Sequence, residues 1–424
     1  MKRTSLPLYP IFICVLASLF YVYDYFIQVA PSVMTEQLMR SFSIGAGKLG
    51  ILSGCFYYAY TLMQIPAGLL LDRLGARALV TLAVLGSAIG VTLFGVTYNF
   101  AIAGVARFIV GFGSSFAFIS ALFLISRWFA HRHFAAAAGM VQLAGCIGSL
   151  VGLAPLAVLV NSMGWRRSMI LTGLITFGFA FLFWIFIRDG KRPRAQDSAT
   201  TPRSEWQRLK FLTKKPQVWW VGVCGFMSWI PVAIIGALWG VPYFMKVYGL
   251  TNTEAGKLCS LFWVGLGIGS PLMGWISNHF RNRCTPFASC FGLGLVGSIL
   301  LLNATVTPMW VTMFALILMG FSASAQSLSF GLIKDIVPPS MFGTASGFNN
   351  MAAILGGAIS QPLVGFLLHS GWSGLMIHQV PVYTVNDYRI ALLAVPIAAL
   401  VGLAVASFRV KETYCEQQYP EYKS

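Results

Sequence analysis

Long apolar stretches, separated by short polar breaks, constrain this chain more than any other feature. A helix needs roughly 20 apolar residues to cross about 30 Å of hydrocarbon. Only 10% of the 424 residues are charged and the mean hydropathy is +0.75, which excludes a soluble enzyme. The sequence therefore predicts an all-α membrane protein with twelve transmembrane helices, at residues 10–33, 48–71, 78–97, 101–126, 134–160, 168–187, 218–245, 255–277, 287–303, 308–333, 343–368 and 388–408.

The predicted helices form two groups of six. The longest hydrophilic segment, residues 188–217, lies between an N-terminal bundle (1–187) and a C-terminal bundle with a short tail (218–424). Three blocks recur in the same order about 206 to 209 residues apart; in one, IVGFGSS (109–115) corresponds to LMGFSAS (318–324). This pattern predicts two pseudo-repeats, whose rigid halves can tilt about a central site and so give alternating access.

The basic residues are distributed unevenly between alternate loops. The net charge is +17, and 21 of the 29 Lys and Arg residues fall on the side that carries both termini in an even-numbered helix arrangement. Cytoplasmic loops of membrane proteins are enriched in Lys and Arg. We therefore expect both termini to be cytoplasmic, and we attribute the basic excess to the membrane and not to nucleic acid.

A loop between the second and third predicted helices carries a family signature. The string GLLLDRLGAR, residues 68–77, resembles the loop 2-3 signature of the major facilitator superfamily, and a degenerate copy follows at residues 274–283. The run RFIVGFGSS, residues 107–115, is similar to the helix 4 signature of that superfamily. The resemblance implies the twelve-helix fold and a conformational latch, formed by Gly68, Asp72, Arg73, Gly75, Arg77 and Arg127.

Two charged residues lie well inside predicted helices. Asp24 and Arg107 are on helices that run in opposite directions, and both fall at a similar membrane depth. By the family resemblance, helices 1, 4, 7 and 10 line a central cavity, which would let the two approach each other. They could form a structural ion pair, or they could bind substrate or a coupling proton, since ionisable residues within a membrane are costly and often functional.

Other polar side chains lie at membrane depth. Tyr21, Gln28 and Pro31 share a helical face with Asp24, because three- and four-residue spacings fall on one side of a helix. Each of these groups can contact substrate or join helices by hydrogen bonds. The candidate substrate or coupling residues beside Asp24 and Arg107 are Tyr21, Gln28, Gln142, Trp239, Gln326 and Asn350.

The sequence offers no signature of a bound metal or cofactor. The eight cysteines contain no Cys-x-x-Cys pair, and the five histidines are dispersed. No Walker lysine motif is present, so we expect a proton gradient and not ATP to supply energy. The antiporter signature of the superfamily has a Gly-Pro pair in helix 5, and its absence here argues against drug export.

Three further runs resemble one branch of the superfamily. Residues 23–34 (YDYFIQVAPSVM), 56–68 (FYYAYTLMQIPAG) and 127–130 (RWFA) are similar to the phagosomal nutrient transporters of intravacuolar bacteria, and more distantly to the lysosomal dipeptide carriers. That branch takes up amino acids or nucleosides. We therefore expect a bacterial inner-membrane importer, working as a monomer in lipid, that takes up a small polar nutrient, in the first place an amino acid, by proton symport.

Three alternatives stay open. The chain could export cationic or hydrophobic compounds in exchange for protons, which Asp24 and the aromatic content favour. It could take up nucleosides or short peptides. It could also be a membrane sensor that does not transport, although such a protein would be expected to have a larger soluble part than the 188–217 segment.

Overall fold

Long helices make up almost all of the structure. The computed structural model describes residues 8–74, 76–128, 134–187, 210–304 and 306–419. Its main helices are α1 (Leu8–Val29), α2 (Ala46–Leu74), α3 (Ala76–Val96), α4 (Phe100–Ser114 and Phe116–Trp128), α5 (Phe134–Gly152 and Ala154–Met163), α6 (Trp165–Phe186), α7 (Pro216–Pro231, a π-helical segment Val232–Trp239, and Gly240–Tyr248), α8 (Asn252–His279), α9 (Cys284–Leu302), α10 (Met309–Ala323 and Ala325–Ile336), α11 (Phe342–Ser370) and α12 (Val385–Leu392 and Ala394–Phe408).

The predicted helical class is confirmed for the described residues. Ten helices, α3 to α12, are long and apolar enough to cross a membrane, judged by length and composition. The helices α1 and α2 have 22 and 29 residues. A two-stranded hairpin, β1 (Met376–Ile377) and β2 (Val380–Pro381), is the one sheet in the described parts of the chain.

Helix ends differ from the predicted ones where local sequence signals act. The predicted helix 10–33 leaves α-helical geometry at Val29 and continues as a 3₁₀ segment, Ala30–Met34, at Pro31, which has no N–H to donate. A short helix, Thr35–Phe42, follows in what had been expected to be a loop. Helix α12 begins at Val385, before the expected residue 388, because Thr384 and Asp387 form a capping box.

Equivalent glycines pack equivalent helices in the two halves. Gly111 on α4 lies against the carbonyl oxygen of Phe56 on α2, so closely that a Cβ would collide with it. Gly320 on α10 makes the same contact with the carbonyl oxygen of Phe262 on α8, 209 and 206 residues further along the chain. Small residues allow such close helix contact. These contacts support the predicted repeat at the level of individual residues.

A second pair of glycines extends the same symmetry. Gly148 on α5 lies against the carbonyl of Val22 on α1, and Gly356 on α11 lies against the carbonyl of Phe226 on α7. The offset between α1 and α7 is therefore 204 residues. With these offsets, any residue of α1 or α4 can be matched to its counterpart in the second half.

The halves meet along two helix seams. Helix α2 packs against α11, where a Cβ on Gly50 would lie 2.6 Å from the carbonyl oxygen of Gln361. Helix α8 packs against α5, where a Cβ on Gly256 would lie 3.2 Å from the backbone nitrogen of Ala154. The second half therefore packs against α2 and α5 of the first half.

Candidate functional site

Asp24 is a buried acid in the middle of the N-terminal half. Its side chain is 1% exposed, and its Oδ2 atom accepts a long hydrogen bond of 3.4 Å from the Tyr60 hydroxyl on α2. Its Oδ1 atom makes no hydrogen bond of good geometry, and the Ser114 hydroxyl of α4, which lies beside Asp24, is also without a partner. A buried carboxylate oxygen without a partner is costly, so this atom is available to bind a donor.

Arg107 is a buried basic residue on α4. It is 2% exposed, and its Nη1 atom donates to the carbonyl oxygen of Ile27 on α1 at 3.2 Å. Its guanidinium lies 5.1 Å from the ring centroid of Phe56, a cation–π contact. Its Nε and Nη2 atoms have no partner, which leaves two buried donors for an anion.

Asp24 and Arg107 do not neutralise each other. No ion pair joins these two described residues within 4.0 Å, whereas Arg40 pairs with Glu36 on the surface and Arg283 pairs with Asp335. Yet Arg107 contacts a carbonyl three residues beyond Asp24 on the same helix. The two charges therefore lie in one corner of α1, α2 and α4, each with unused hydrogen-bonding atoms.

Tyr21 and Gln142 form a polar cluster with a residue that the sequence prediction missed. The Tyr21 hydroxyl is 3.1 Å from both the Tyr25 hydroxyl and the Gln142 Oε1 atom, and Gln142 Nε2 donates to Tyr25 at 3.3 Å. The ring of Trp263, from α8 of the other half, meets the Tyr25 ring edge-to-face at 5.5 Å. The spacing of four residues between Tyr21 and Tyr25 was the available signal.

Gln28 lies on the same helix and contacts α2. Its Nε2 atom donates to the Tyr57 hydroxyl at 2.9 Å, and both side chains are buried. Gly357 of α11 lies against the Tyr57 ring, where a Cβ would be 2.9 Å from the ring. Gln28 therefore holds a tyrosine that contacts the opposite half.

The remaining candidates belong to the C-terminal half, and each has a hydrogen bond within the protein. Asn350 Nδ2 donates to Gln64 Oε1 at 2.7 Å, which joins α11 to α2. The Trp239 indole donates to the carbonyl of Gln361 at 3.2 Å. Gln326 Oε1 accepts from Ser228 at 3.4 Å, while Gln326 Nε2 has no partner.

The predicted latch is described only in part. The Arg77 Nε atom donates to the carbonyl of Trp184 at 2.9 Å, and the guanidinium lies 4.5 Å from that ring's centroid, which ties α3 to α6. The rest of the latch lies outside the described part of the structure: Gly75, the surroundings of Gly68, and the side chains of Asp72, Arg73 and Arg127.

Metal-ligand residue types are scattered over the described parts of the chain. No three His, Cys, Asp or Glu side chains there are close enough to hold a metal ion. The buried cysteines, Cys146, Cys224, Cys259 and Cys290, are unpaired and lie on different helices.

Comparison with known proteins agrees with this architecture. The chain is 25% identical over 376 residues to the uncharacterized transporter YybO of Bacillus subtilis, covering 82% of this chain and 84% of that protein. It is 24% identical over 409 residues to a D-galactonate transporter of Escherichia coli, covering 86% and 89%. The solved structure of a D-xylose-proton symporter has a TM-score of 0.74 at 17% identity, covering 96% of this chain and all of that one, which shows a shared fold.

The family model supplies the assignment. The model of the Major Facilitator Superfamily matches residues 14–361 and 221–414, which together span most of the chain. The proteins of this family and fold are generally transporters and not enzymes, and the multi-pass helices described above are those of a membrane protein. The chain belongs to the Major Facilitator Superfamily of membrane transporters.

Proposed function

We propose that this protein is a secondary active transporter that imports a small polar nutrient, an amino acid in the first place, by proton symport and alternating access. The observation that carries the proposal is the pair of buried, unneutralised charges in one corner of the fold. Asp24 has a free carboxylate oxygen and Arg107 has two free donors. A zwitterion satisfies both, with its ammonium on Asp24 and its carboxylate on Arg107.

The resemblance of residues 23–34 and 56–68 to nutrient transporters of intravacuolar bacteria also favours an amino acid. These runs contain Asp24 itself, together with Tyr60, which bonds to it, Phe56, which contacts Arg107, and the neighbouring pair Gln28 and Tyr57. The segments whose resemblance suggests the substrate class therefore also contain residues of the candidate site.

Proton coupling is assigned to Asp24. A buried carboxylate that alternates between protonated and ionised forms can couple proton movement to the state of the transporter. Twelve spans, cytoplasmic termini, a bacterial inner membrane and a monomer complete the proposal, and the two repeats provide halves that can rock about α1 and α4.

A second candidate is uptake of an organic anion. The similarity to a D-galactonate transporter and the two free donors of Arg107 favour it. In this case Arg107 binds the substrate carboxylate, and Asp24 carries only the coupling proton.

Uptake in proteoliposomes with an acidic exterior tests the proposal. A thermal-shift screen of amino acids, dipeptides, nucleosides and D-galactonate first selects the compound. We then expect Asp24→Asn to abolish uphill, pH-driven accumulation, and Arg107→Ala to lower the affinity for the carboxylate by tenfold or more, since hydrogen bonds to charged groups are worth about 1.5–3 kcal/mol.

Matched controls come from the exposed pair Arg40 and Glu36. Glu36→Gln and Arg40→Ala should leave uptake unchanged. Competition by the deaminated analogue separates the two candidates, because an organic-anion transporter accepts it and an amino-acid transporter rejects it. Wild-type, pH-dependent uptake by both Asp24→Asn and Arg107→Ala would refute the proposal.

A further inference from the structure

The C-terminal tail, residues 409–419, lies across the ends of α8, α9 and α10. The backbone N–H of Gln418 donates to the carbonyl of Asp335 at 2.8 Å, and Gln417 Nε2 donates to the carbonyl of Val337 at 3.0 Å. The Cys415 thiol lies 3.4 Å from the carbonyl oxygen of Ser277, at the end of α8. The tail is therefore docked on the C-terminal half along most of its length.

Glu412 of this tail caps the start of α9. Its carboxylate accepts the backbone N–H groups of Arg283 at 2.8 Å and Cys284 at 2.7 Å, and Cys284 is the first residue of α9. It also accepts the N–H groups of Thr413 and Tyr414 within the tail. The first N–H groups of a helix have no partner within the helix, and an anion there also interacts favourably with the helix dipole.

A second acid joins the tail to α10. Asp335 Oδ2 accepts from Arg283 Nε at 3.0 Å and from the Thr413 hydroxyl at 2.8 Å. Arg283 also donates to Asn278 Oδ1 at 3.0 Å. One arginine therefore connects the ends of α8 and α10, and the tail contacts the same carboxylate.

The two copies of the loop signature differ at the position of its acid. The loop signature has an acid at Asp72 in its first copy, but the second copy has Asn278 at that position. We propose that the tail is a fixed brace of the C-terminal half, in which Glu412 supplies the carboxylate that the second loop copy lacks. The brace holds the ends of α8, α9 and α10 together, so that this half moves as one body. Neither the substrate nor the direction of transport enters this inference.

The native Cys415 provides a direct test, because its partly buried thiol contacts the end of α8 only while the tail is docked. Membranes containing the full-length protein are treated with a maleimide, and the rate of Cys415 modification is followed by mass spectrometry. We expect Glu412→Ala to speed modification at least tenfold and Glu412→Gln to speed it less. The control is Glu416→Gln, which removes an exposed acid from the same tail and should leave the rate unchanged.

A compensating change completes the experiment. Asn278→Asp restores an acid to the loop. The purified double variant Asn278→Asp/Glu412→Gln should therefore melt at a higher temperature than Glu412→Gln alone. If Glu412→Ala does not reach the membrane, the comparison of Glu412→Gln with Glu416→Gln still decides. Equal Cys415 modification rates and equal melting temperatures in those two variants would overturn the proposal.

Discussion

At the scale of single residues, the two repeated halves carry different side chains at matching positions. With the offsets of 204 and 209 residues, the counterpart of Asp24 is Ser228 and the counterpart of Arg107 is Leu316. Both charges of the candidate site therefore belong to the N-terminal half. From the C-terminal half, the neutral ring of Trp263 reaches the polar cluster of the N-terminal half, where it meets Tyr25.

The carboxylate of Glu412 should make stability depend on pH. Burial would raise its pKa, but the hydrogen bonds from Cys284, Arg283, Tyr414 and Thr413 outweigh burial and hold the pKa below its usual range. Because the folded-state pKa is depressed, its stabilising contribution is fully present above the unfolded pKa of about 4.3. It is lost as pH falls through the lower folded-state pKa.

Thermal unfolding of the purified protein between pH 3 and 7 measures this dependence. We expect wild type to melt a few degrees above Glu412→Gln at pH 7, and the difference to shrink at the acid end. Glu416→Gln should follow wild type throughout. A difference that is constant over the whole range would contradict the prediction.

At the scale of the helices, α1 and α7 depart from α-helical geometry at matching positions. The 3₁₀ segment Ala30–Met34 and the π-helical segment Val232–Trp239 are related by the 204-residue offset, and they contact each other across the halves. Side chains stabilise the π segment: Gln361 Nε2 donates to the carbonyl of Ala233, and the Trp263 indole donates to that of Gly236. π-Helical turns are rare and frequently lie at functional sites.

Gly240 makes this π segment possible. A Cβ there would collide with the carbonyl oxygen of Ile235, five residues earlier. We expect Gly240→Ala to lower stability by about 1–3 kcal/mol, as overpacking does, and to slow transport by altering α7.

Gly222→Ala on the same helix is the matched control, because its Cβ would lie 3.6 Å from the nearest atoms, an ordinary contact. Thermal unfolding and uptake of the best substrate are measured on both variants. Equal behaviour of the two alanine variants would show that the π segment does not need Gly240.

At the scale of the whole molecule, hydrogen bonds join the halves near one end of the helices and again further along α2. Near one end, Asn252 Nδ2 donates to the carbonyl of Val33 at 2.6 Å, and the Tyr383 hydroxyl accepts from the backbone N–H of Ala46 at 2.8 Å. Further along α2, Gln64 accepts from Asn350. Alternating access requires that contacts of this kind break in turn.

The Gln64–Asn350 bond can be measured by a double-mutant cycle. We expect Gln64→Ala and Asn350→Ala to be non-additive in thermal stability, with a coupling free energy of about 0.5–1.5 kcal/mol, the usual value of one hydrogen bond. Asn349→Ala is the control partner for Gln64→Ala, since Asn349 bonds to Ser329 within its own half. Coupling as large for Asn349 as for Asn350 would contradict a specific bond between the halves.

Much of the architecture could be predicted from sequence because it depends on local composition. Apolar runs as long as a bilayer predict the helices, and recurring glycines at Gly111 and Gly320 predict the repeat, since close packing needs a residue without a Cβ. The departures came from signals that act over a few residues, such as the capping box at Thr384 and the proline at position 31.

The sequence by itself determined the membrane class, the repeated helices and the positions of the two buried charges, because hydrophobicity and charge are properties of each residue. Only the tertiary structure decided which groups meet. It left Asp24 and Arg107 unpaired, joined Gln64 to Asn350 across 286 residues and brought Glu412 to the start of α9. Such pairs depend on the packing of whole helices, which no local pattern of residues specifies.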